Sequence, residues 1–328
     1  MSTTDHAAPA GAPSTTAYDV VIVGGGAAGL TAAIALGRSL RSVLVVDGGE
    51  PRNAPALGVH NLVGREGVAP AELVAAGRRE AEAYGVRVVD DRTVGARRGS
   101  GGFVVELAAG GPVTARRLLL ATGSVDELPD VPGLRGLWGR DVIHCPYCHG
   151  YEARGGRIGV LGTGPMAVHQ ALMFRQLSER VTLFMQGMPE PEEQDRDRLA
   201  ALGVEVVDGP VRELRTEDAS LRAAVLDGGR EIGLDTLVVA PRVRARADLF
   251  VALGGELAEN VMGTFVEVDP MTGRTALAGV WAAGNVTNPA ATVPVSAAAG
   301  LAAGAAINMD LITEEAAAAV RAREALTA

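Results

Sequence analysis

The chain has 328 residues, a formal net charge of −9 and a hydrophobic fraction of 48%, with aromatic residues at only 3%. Its length suits two domains of roughly 100–200 residues each. The negative charge argues against a nucleic-acid partner, because such a partner needs a concentrated basic face. No apolar run is expected to reach the roughly 18–20 residues of a membrane span, so no membrane partner is predicted.

The first 17 residues are rich in Ala, Pro, Ser and Thr. They lack the basic start and the apolar stretch of a signal peptide, and their composition predicts a disordered tail. We therefore expect a cytoplasmic protein.

A strand–helix–strand unit follows. Tyr18–Val23 is a short apolar run of the kind that forms a strand buried on both faces. A helix of small residues is predicted to extend to about Arg38, and a second buried strand to occupy Ser42–Val46. This order predicts one βαβ unit of an α/β fold.

The turn of this unit carries the pattern G-x-G-x-x-G at Gly24, Gly26 and Gly29. The first glycine permits the tight turn, the second lets the backbone approach a pyrophosphate, and the third lets helix and strand pack closely. The helix N-terminus offers unpaired N–H groups to that pyrophosphate. Asp47, 23 residues after Gly24, stands where a carboxylate binds a ribose hydroxyl. The unit therefore predicts dinucleotide binding.

Other elements have local signals. Pro70 is predicted to begin a helix that Gly85 ends. Short strands are predicted at Val86–Val89, Phe103–Leu107, Leu118–Ala121 and after Gly279. A long Ala-rich helix is predicted after Pro294, and the final EEAAAAVRAREALTA is predicted to form a surface helix.

A second βαβ unit begins at Arg157, with the turn Gly162-x-Gly164-x-x-Ala167, a helix to about Leu177 and a strand at Val181–Met185. The offset of 23 residues leads here to Met185, where neither a carboxylate nor an arginine stands to bind a ribose or a 2′-phosphate. The acidic segment 189–195 follows, and negative charge beside a phosphate site is repulsive. NADPH is therefore expected to bind poorly. A nucleotide fold retained as a scaffold is at least as good an interpretation as a working site.

The only two cysteines, Cys145 and Cys148, lie between His144 and His149 just before the second unit. A C-x-x-C motif beside a βαβ pattern is typical of thiol–disulfide chemistry, because the spacing lets the sulfurs bond. His149 follows the second cysteine and titrates near neutrality, so it can act as acid or base. The alternatives are inert core thiols or a zinc half-site. Six consecutive residues can hardly surround a tetrahedral ion with four side chains, so no metal is expected.

Together these residues resemble the low-molecular-weight thioredoxin reductase family over about Tyr18 to Asn308. The matching stretches are GGGAAG at 24–29, the turn Ala121–Gly123, the C-x-x-C, GTGPMA at 162–167 and GVWAAGN at 279–285. The resemblance implies an α/β fold of two Rossmann-like domains, the second inserted in the first. An FAD-binding domain would comprise residues 18–124 and 246–328, and a degenerate pyridine-nucleotide domain with the cysteines would comprise residues 125–245. A homodimer is also implied.

The same resemblance assigns the cofactor contacts. The expected FAD-binding residues are Gly24, Gly26, Ala27, Ala28, Gly29, Asp47, Gly48, Asn61, Val94, Thr122, Gly123, Gly284, Asn285, Thr292 and Val293. Among them, Asn61 is expected near the flavin and the backbone at Val94 near the adenine. The helix after Thr292-Val293 is expected to point its N-terminus at the flavin, where its dipole stabilises negative charge.

Three positions depart from the typical reductase. His149 stands in place of an aspartate, the basic cluster that binds NADPH is absent, and Asn285 replaces the aspartate that binds the ribityl chain. CPYCHGYE and the missing cluster resemble more closely the FAD-dependent dithiol oxidases of gliotoxin, holomycin and romidepsin biosynthesis.

This closer resemblance implies a dithiol oxidase that acts on a small-molecule dithiol, with molecular oxygen as acceptor. Cys145 would form the mixed disulfide, Cys148 would be the inner thiolate beside the flavin, and His149 or His144 would be the base. A fixed arrangement with the cysteines at the flavin is then expected. The alternatives are a thioredoxin reductase supplied by NADPH or ferredoxin, and a protein that sequesters a dithiol without turnover.

Overall fold

The computed structural model describes residues 17–164 and 166–327. The helices of these residues are α1 (Ala27–Arg38), α2 (Pro70–Ala83), α3 (Pro146–His149), α4 (Ala167–Arg175), α5 (Glu193–Ala201), α6 (Asp248–Ala252) and α7 (Val293–Thr327). The strands are β1 (Ala17–Val23), β2 (Val43–Asp47), β3 (Arg87–Asp90), β4 (Thr93–Gly99), β5 (Gly102–Leu107), β6 (Val113–Leu120), β7 (Ser124–Glu127), β8 (Val142–Ile143), β9 (Ile158–Leu161), β10 (Val181–Phe184), β11 (Glu205–Val207), β12 (Val211–Glu217), β13 (Ser220–Leu226), β14 (Glu231–Gly233), β15 (Thr236–Val239), β16 (Arg242–Ala245), β17 (Ala258–Asn260), β18 (Gly263–Phe265) and β19 (Val280–Ala282).

A disordered tail is expected at residues 1–17, and residues 1–16 lie outside the described residues. Ala17 does not belong to a tail, because its Cα pairs with Thr114 of β6 and it forms the first residue of β1.

The first sheet combines strands from both ends of the described chain. Its order is β3-β2-β1-β6-β5-β4, and β19 pairs in parallel with the second half of β6. The apolar side chains of β1 and β2 pack with α1 and α7 in one core. The carboxyl ends of β1 and β2 meet at one edge of the sheet, where the first glycine turn lies.

The second sheet lies between these strands in sequence. Its five strands are all parallel, in the order β11-β10-β9-β15-β8. The chain crosses toward it through β7 and returns through β16, and these two strands pair antiparallel, Ser124 opposite Ala245. The predicted α/β fold of two Rossmann-like domains, one inserted in the other, is therefore confirmed. The boundaries at 124/125 and 245/246 stay a prediction.

One predicted strand proves to be longer than its apolar core. β6 begins at Val113 rather than at Leu118, because its first residues pair antiparallel with β5. β4 and the short strands that flank the second sheet are not predicted from local pattern at all.

Helix α7 is long and apolar enough, by length and composition alone, to cross a membrane, with a mean hydropathy of 1.5. The expectation that no run of this kind exists was therefore too strict. A helix buried in a protein core passes the same test, and 33% of that window is buried. A Cβ on Gly300 would overlap the carbonyl group of Ala28 in α1, and one on Gly304 would lie 3.1 Å from the carbonyl oxygen of Ala32. This face of α7 thus packs backbone against backbone on α1.

Replacing Gly300 by Ala is expected to lower the free energy of unfolding by about 1–3 kcal/mol, because the added methyl group forces α1 and α7 apart. Denaturant unfolding of the flavin-loaded protein measures this change. Gly111→Ala is the matched control, since a Cβ there meets open space, and it should stay within about 0.5 kcal/mol of the unaltered protein. Equal stabilities of the two variants would contradict the close packing.

Candidate active site

The site begins at the turn between β1 and α1, where backbone segments touch. Gly24 has a φ of +109°, and a Cβ there would overlap the carbonyl group of Ala121. A Cβ on Gly29 would in turn overlap the Gly24 carbonyl oxygen. Gly26 caps α1 and has no atom within 4 Å of its Cβ position. The turn is therefore closed toward the sheet and open on its outer side, where a ligand can approach the backbone.

Asp47 ends β2 beside this turn. Its Oδ1 accepts the N–H of Gly25 at 3.2 Å and that of Gly49 at 3.3 Å. The carboxylate is thereby held next to the N-terminus of α1, the position where a ribose hydroxyl is bound in dinucleotide sites. A side-chain-free cradle, a helix N-terminus and a fixed carboxylate together fit the pyrophosphate and ribose of FAD.

One cavity of about 850 Å³ joins this turn to the cysteine pair. The predicted site residues that line it are Gly24, Gly26, Ala27, Ala28, Asp47, Gly48, Val94, Thr122, Gly123, His144, Cys145, Cys148, His149, Gly284, Asn285, Thr292 and Val293. The structure therefore brings together residues that are up to 269 positions apart in the chain, between Gly24 and Val293.

Two predicted residues lie outside this lining. Gly29 is buried beneath the turn, where it packs on Gly24. Asn61 is expected near the flavin, but its side-chain amide donates to the carbonyl oxygen of Tyr147 at 2.7 Å. Asn61 thus contacts the segment between the two cysteines.

The other end of the cavity is shaped by the loop before α7. The Asn285 amide donates to the carbonyl oxygens of Asn288 at 3.1 Å and Ala291 at 2.9 Å. Its donor is thereby occupied, which leaves its carbonyl oxygen for a cofactor. Thr292 and Val293 bring the N-terminus of α7 to the cavity wall, and a long helix carries partial positive charge at this end.

Cys145 and Cys148 are joined in a disulfide with a Cα–Cα distance of 5.3 Å. Cys145 precedes α3, and its carbonyl oxygen accepts the N–H of Cys148 at 3.3 Å and of His149 at 3.1 Å. Pro146 occupies the first helical position, which needs no N–H donor. Both cysteines are half-buried at the cavity, whereas Tyr147 between them is 73% exposed.

Two histidines flank the disulfide, and both are kept neutral. Both ring nitrogens of His149 are buried without a hydrogen-bond partner among the described residues. Burial lowers its pKa, Glu152 opposes this, and His60 adds to it. The His144 ring stacks on Trp138 with centroids 5.9 Å apart. Burial and then the charge of Arg52 lower the pKa of His144 to about 4.

Several site residues escape sequence analysis. Arg52 and Asp126 form a largely buried ion pair in the cavity wall, with Nη2 and Oδ1 2.6 Å apart. They are 74 residues apart, and no local pattern links them. His60 also lines the cavity. Its position next to Asn61 in the motif HNLVG was the one signal that could have identified it.

The turn of the second βαβ unit is closed toward the sheet, as the first turn is. A Cβ on Gly162 would lie 2.5 Å from Sδ of Met188 and 2.6 Å from the carbonyl oxygen of Phe184. The chain folds back after β10, since the N–H of Met188 donates to the carbonyl oxygen of Met185 at 2.7 Å. Gly164, at the position of Gly26 in the first turn, has no atom within 4 Å of its Cβ position, so this turn is also open on its outer side. Met188 lies against the second turn, whereas the carboxylate of Asp47 lies against the first. Pro165 of this turn lies outside the described residues.

The sequence pattern of the pyridine nucleotide-disulphide oxidoreductase family matches residues 18–304. Thioredoxin reductase tcpT of Claviceps purpurea (strain 20.1) is 33% identical over 316 residues, with 90% of this chain and 95% of the relative covered. Thioredoxin reductase sirT of Leptosphaeria maculans is 30% identical over 312 residues, with coverages of 90% and 94%.

Two solved structures are also similar to this chain over most of its length. The crystal structure of HlmI superposes with a TM-score of 0.88 at 42% identity and covers 95% of this chain and 98% of its own. An oxidoreductase from Agrobacterium tumefaciens has a TM-score of 0.86 at 41% identity, with coverages of 91% and 99%. The predicted resemblance to thioredoxin reductase-like flavoproteins is confirmed. The chain belongs to the pyridine nucleotide-disulphide oxidoreductase family, a membership that implies FAD as its cofactor.

Proposed function

We propose that the chain is an FAD-dependent dithiol oxidase, which closes a disulfide in a small-molecule dithiol and passes two electrons to molecular oxygen. The observation that carries this proposal is the position of the Cys145–Cys148 disulfide in the same cavity as the turn that fits FAD. The names of the relatives tcpT and sirT favour a second candidate, a thioredoxin reductase. A homodimer and a cytoplasmic location belong to the proposal as predictions.

The surroundings of the second turn support the oxidase over a reductase supplied by NADPH. Met188 lies against Gly162 after β10, in a region where a nucleotide site needs a polar or charged group for the ribose or its phosphate. Glu190 and Glu192 beyond it are exposed and would repel phosphates. Electrons would then enter through the cysteines.

Contacts between the loop after β2 and the segment that carries the cysteines support a fixed arrangement of cysteines and flavin. Asn61 binds the Tyr147 carbonyl group, and a Cβ on Gly139 would lie 2.6 Å from Cβ of Pro55. Each contact joins the loop after β2 to the segment that carries the cysteines. A fixed arrangement suits an enzyme that takes no electrons from NADPH, because nothing then has to replace the cysteines beside the flavin.

The thiol chemistry follows from the disulfide. A substrate thiolate attacks Sγ of Cys145, the Cys145–Cys148 bond breaks, and Cys148 leaves as a thiolate. The second substrate thiolate attacks the substrate sulfur of this mixed disulfide and releases Cys145 as a thiolate. The substrate loses two electrons and two protons, and the cysteine pair gains the electrons. FAD, when bound, would supply the acceptor for these two electrons, and molecular oxygen would finally take them up with the two protons as peroxide.

His149 suits the role of the base in this sequence. It follows Cys148 directly, lines the cavity and has no competing hydrogen bond among the described residues. His144 is held by its stacking on Trp138, and a pKa of about 4 makes it a weak base. We therefore assign proton removal to His149 and a packing role to His144.

Replacing Cys148 by Ser is expected to abolish dithiol-dependent oxygen uptake, because no disulfide remains to accept electrons. An oxygen electrode with dithiothreitol as substrate measures the rate, and peroxide formation is assayed in the same sample. The visible flavin spectrum of the variant serves as the control for cofactor binding. Undiminished uptake would contradict the role of the cysteine pair.

In an anaerobic titration, dithiothreitol is expected to bleach the bound flavin, whereas NADPH alone is expected to leave it oxidised. The physical reason is that Met185 and Met188 stand where a ribose or its phosphate needs a polar or charged group, beside the exposed carboxylates of Glu190 and Glu192. Rapid bleaching by NADPH, followed by reduction of added thioredoxin, would support the reductase and overturn the oxidase.

The turnover rate is expected to fall on the acid side below pH 6.5. Burial lowers the pKa of His149 from its ordinary value of 6.5, so the neutral base persists to lower pH and is lost as the pH falls through that lowered pKa. Initial rates between about pH 5 and pH 8 measure this. His149→Gln should lower the rate about 100-fold and remove this dependence, whereas His169→Gln, on the exposed side of α4, should match the unaltered protein. An acid limb above pH 6.5 would contradict the assignment.

A further inference from the structure

A third histidine lies at the edge of the same cavity. His60 follows a short bridge between Val59 and Val68 and lines the cavity together with His149. Its Nδ1 is 2.6 Å from Oε1 of Glu66. The second oxygen of Glu66 accepts the N–H of Asn61 at 2.9 Å. Both carboxylate oxygens are thus used to hold His60 and the residue after it.

This pairing decides which nitrogen of His60 is available. An ionised carboxylate only accepts hydrogen bonds, so Nδ1 must donate to Glu66. The hydrogen bond from His60 is also the largest cause of the lowered pKa of Glu66, which therefore stays ionised. In the neutral ring, Nε2 then carries the free lone pair. Oε1 of Glu152 is 3.8 Å from Nε2, beyond hydrogen-bonding distance.

The proposed oxidation needs two proton acceptors. Two substrate thiols are deprotonated in each turnover, one before each sulfur–sulfur exchange. His149 can hold one proton, and His144 is a poor acceptor because of its burial and the nearby Arg52. Cys145 and Cys148 must stay thiolates to pass their electrons on, so the second proton has no lasting acceptor among the residues assigned so far.

We infer that the Glu66–His60 pair is a second proton-transfer group of this site, which takes a thiol proton through Nε2 of His60 and passes it to water. The inference rests on the proposed thiol oxidation. The path of the proton from His60 to solvent is short, because the Glu66 side chain is 65% exposed whereas that of His60 is 24% exposed. A proton taken at the cavity thus reaches solvent within one side chain.

The charges that face His60 are compatible with this role. Two carboxylates face the ring: Glu66, on its own loop, is hydrogen-bonded to Nδ1, and Oε1 of Glu152, after α3, is 3.8 Å from Nε2. From α3, His149 is near enough for His60 to lower its pKa. The two rings therefore disfavour simultaneous protonation, so His149 takes up a proton more readily once His60 has delivered its own to water.

Anaerobic stopped-flow reduction of the bound flavin by dithiothreitol tests the inference without oxygen. His60→Gln is expected to lower the limiting rate about 10- to 100-fold, with the dithiothreitol concentration for half-maximal rate changed by less than about twofold. His169→Gln, a histidine outside the cavity, is the matched control and should react like the unaltered protein.

Chemical rescue separates proton transfer from loop structure. His60→Ala should recover at least about tenfold in rate when imidazole is added, in proportion to its neutral form, whereas His60→Gln should not. Glu66→Gln, which still accepts from Nδ1, should keep more activity than Glu66→Ala. A folding defect predicts no response to imidazole.

The outcomes are distinguishable. If dithiothreitol bleaches the flavin of the unaltered protein but both His60 variants react at its rate, or if His60→Ala is slow and imidazole restores nothing, this inference is overturned and the oxidase proposal stands. If dithiothreitol fails to bleach the unaltered protein, the proposed function falls and this inference with it.

Discussion

The bidentate ion pair between Arg52 and Asp126 holds three segments of the chain together at one side of the cavity. Arg52 follows β2, and Asp126 lies in β7, where the chain crosses toward the second sheet. The guanidinium also donates to the carbonyl oxygen of Pro289 ahead of α7, at 2.9 Å. With the side chains 15% and 8% exposed, each charge is costly without the other. The place of the disulfide beside the flavin turn therefore depends on partners that lie far apart in sequence.

A buried ion pair of this kind fixes the positions of its two groups more than it raises the free energy of unfolding. Desolvation offsets much of the attraction between buried charges, but two parallel N–H···O bonds fix the orientation of both groups. Asp126 pairs with Val243 across the antiparallel β7–β16 ladder, so its anchor also restrains the returning strand. The same charges act on the redox side of the cavity, because Arg52 lowers and Asp126 raises the pKa of His144.

The features that sequence predicts well are those whose signal is local. The unit from Tyr18 to Asp47 and the helix from Pro70 have their periodicity and end signals within one window. β4 contains two arginines and pairs with β5 through an irregular register, so alternation does not identify it. The cysteine motif and the glycine turn predict a common site, but the Arg52–Asp126 pair and the placement of Asn61 on Tyr147 are products of tertiary packing. The absence of a carboxylate at Met185 is visible in the sequence, whereas the contact of Met188 with Gly162 is not.

Burial and neighbouring charges explain why the three histidines that line the cavity are suited to different tasks. Burial keeps His149 neutral and therefore basic, but once it has taken a proton it is a charge with little solvation. His144 cannot relieve it, because Arg52 already disfavours positive charge there. Two carboxylates, Glu66 and Glu152, lie instead on the side of His60, and their side chains are 65% and 51% exposed. Electrons and protons of the proposed oxidation would thus leave the disulfide in different directions, the electrons toward the turn of α1 and the protons toward the loop that carries His60.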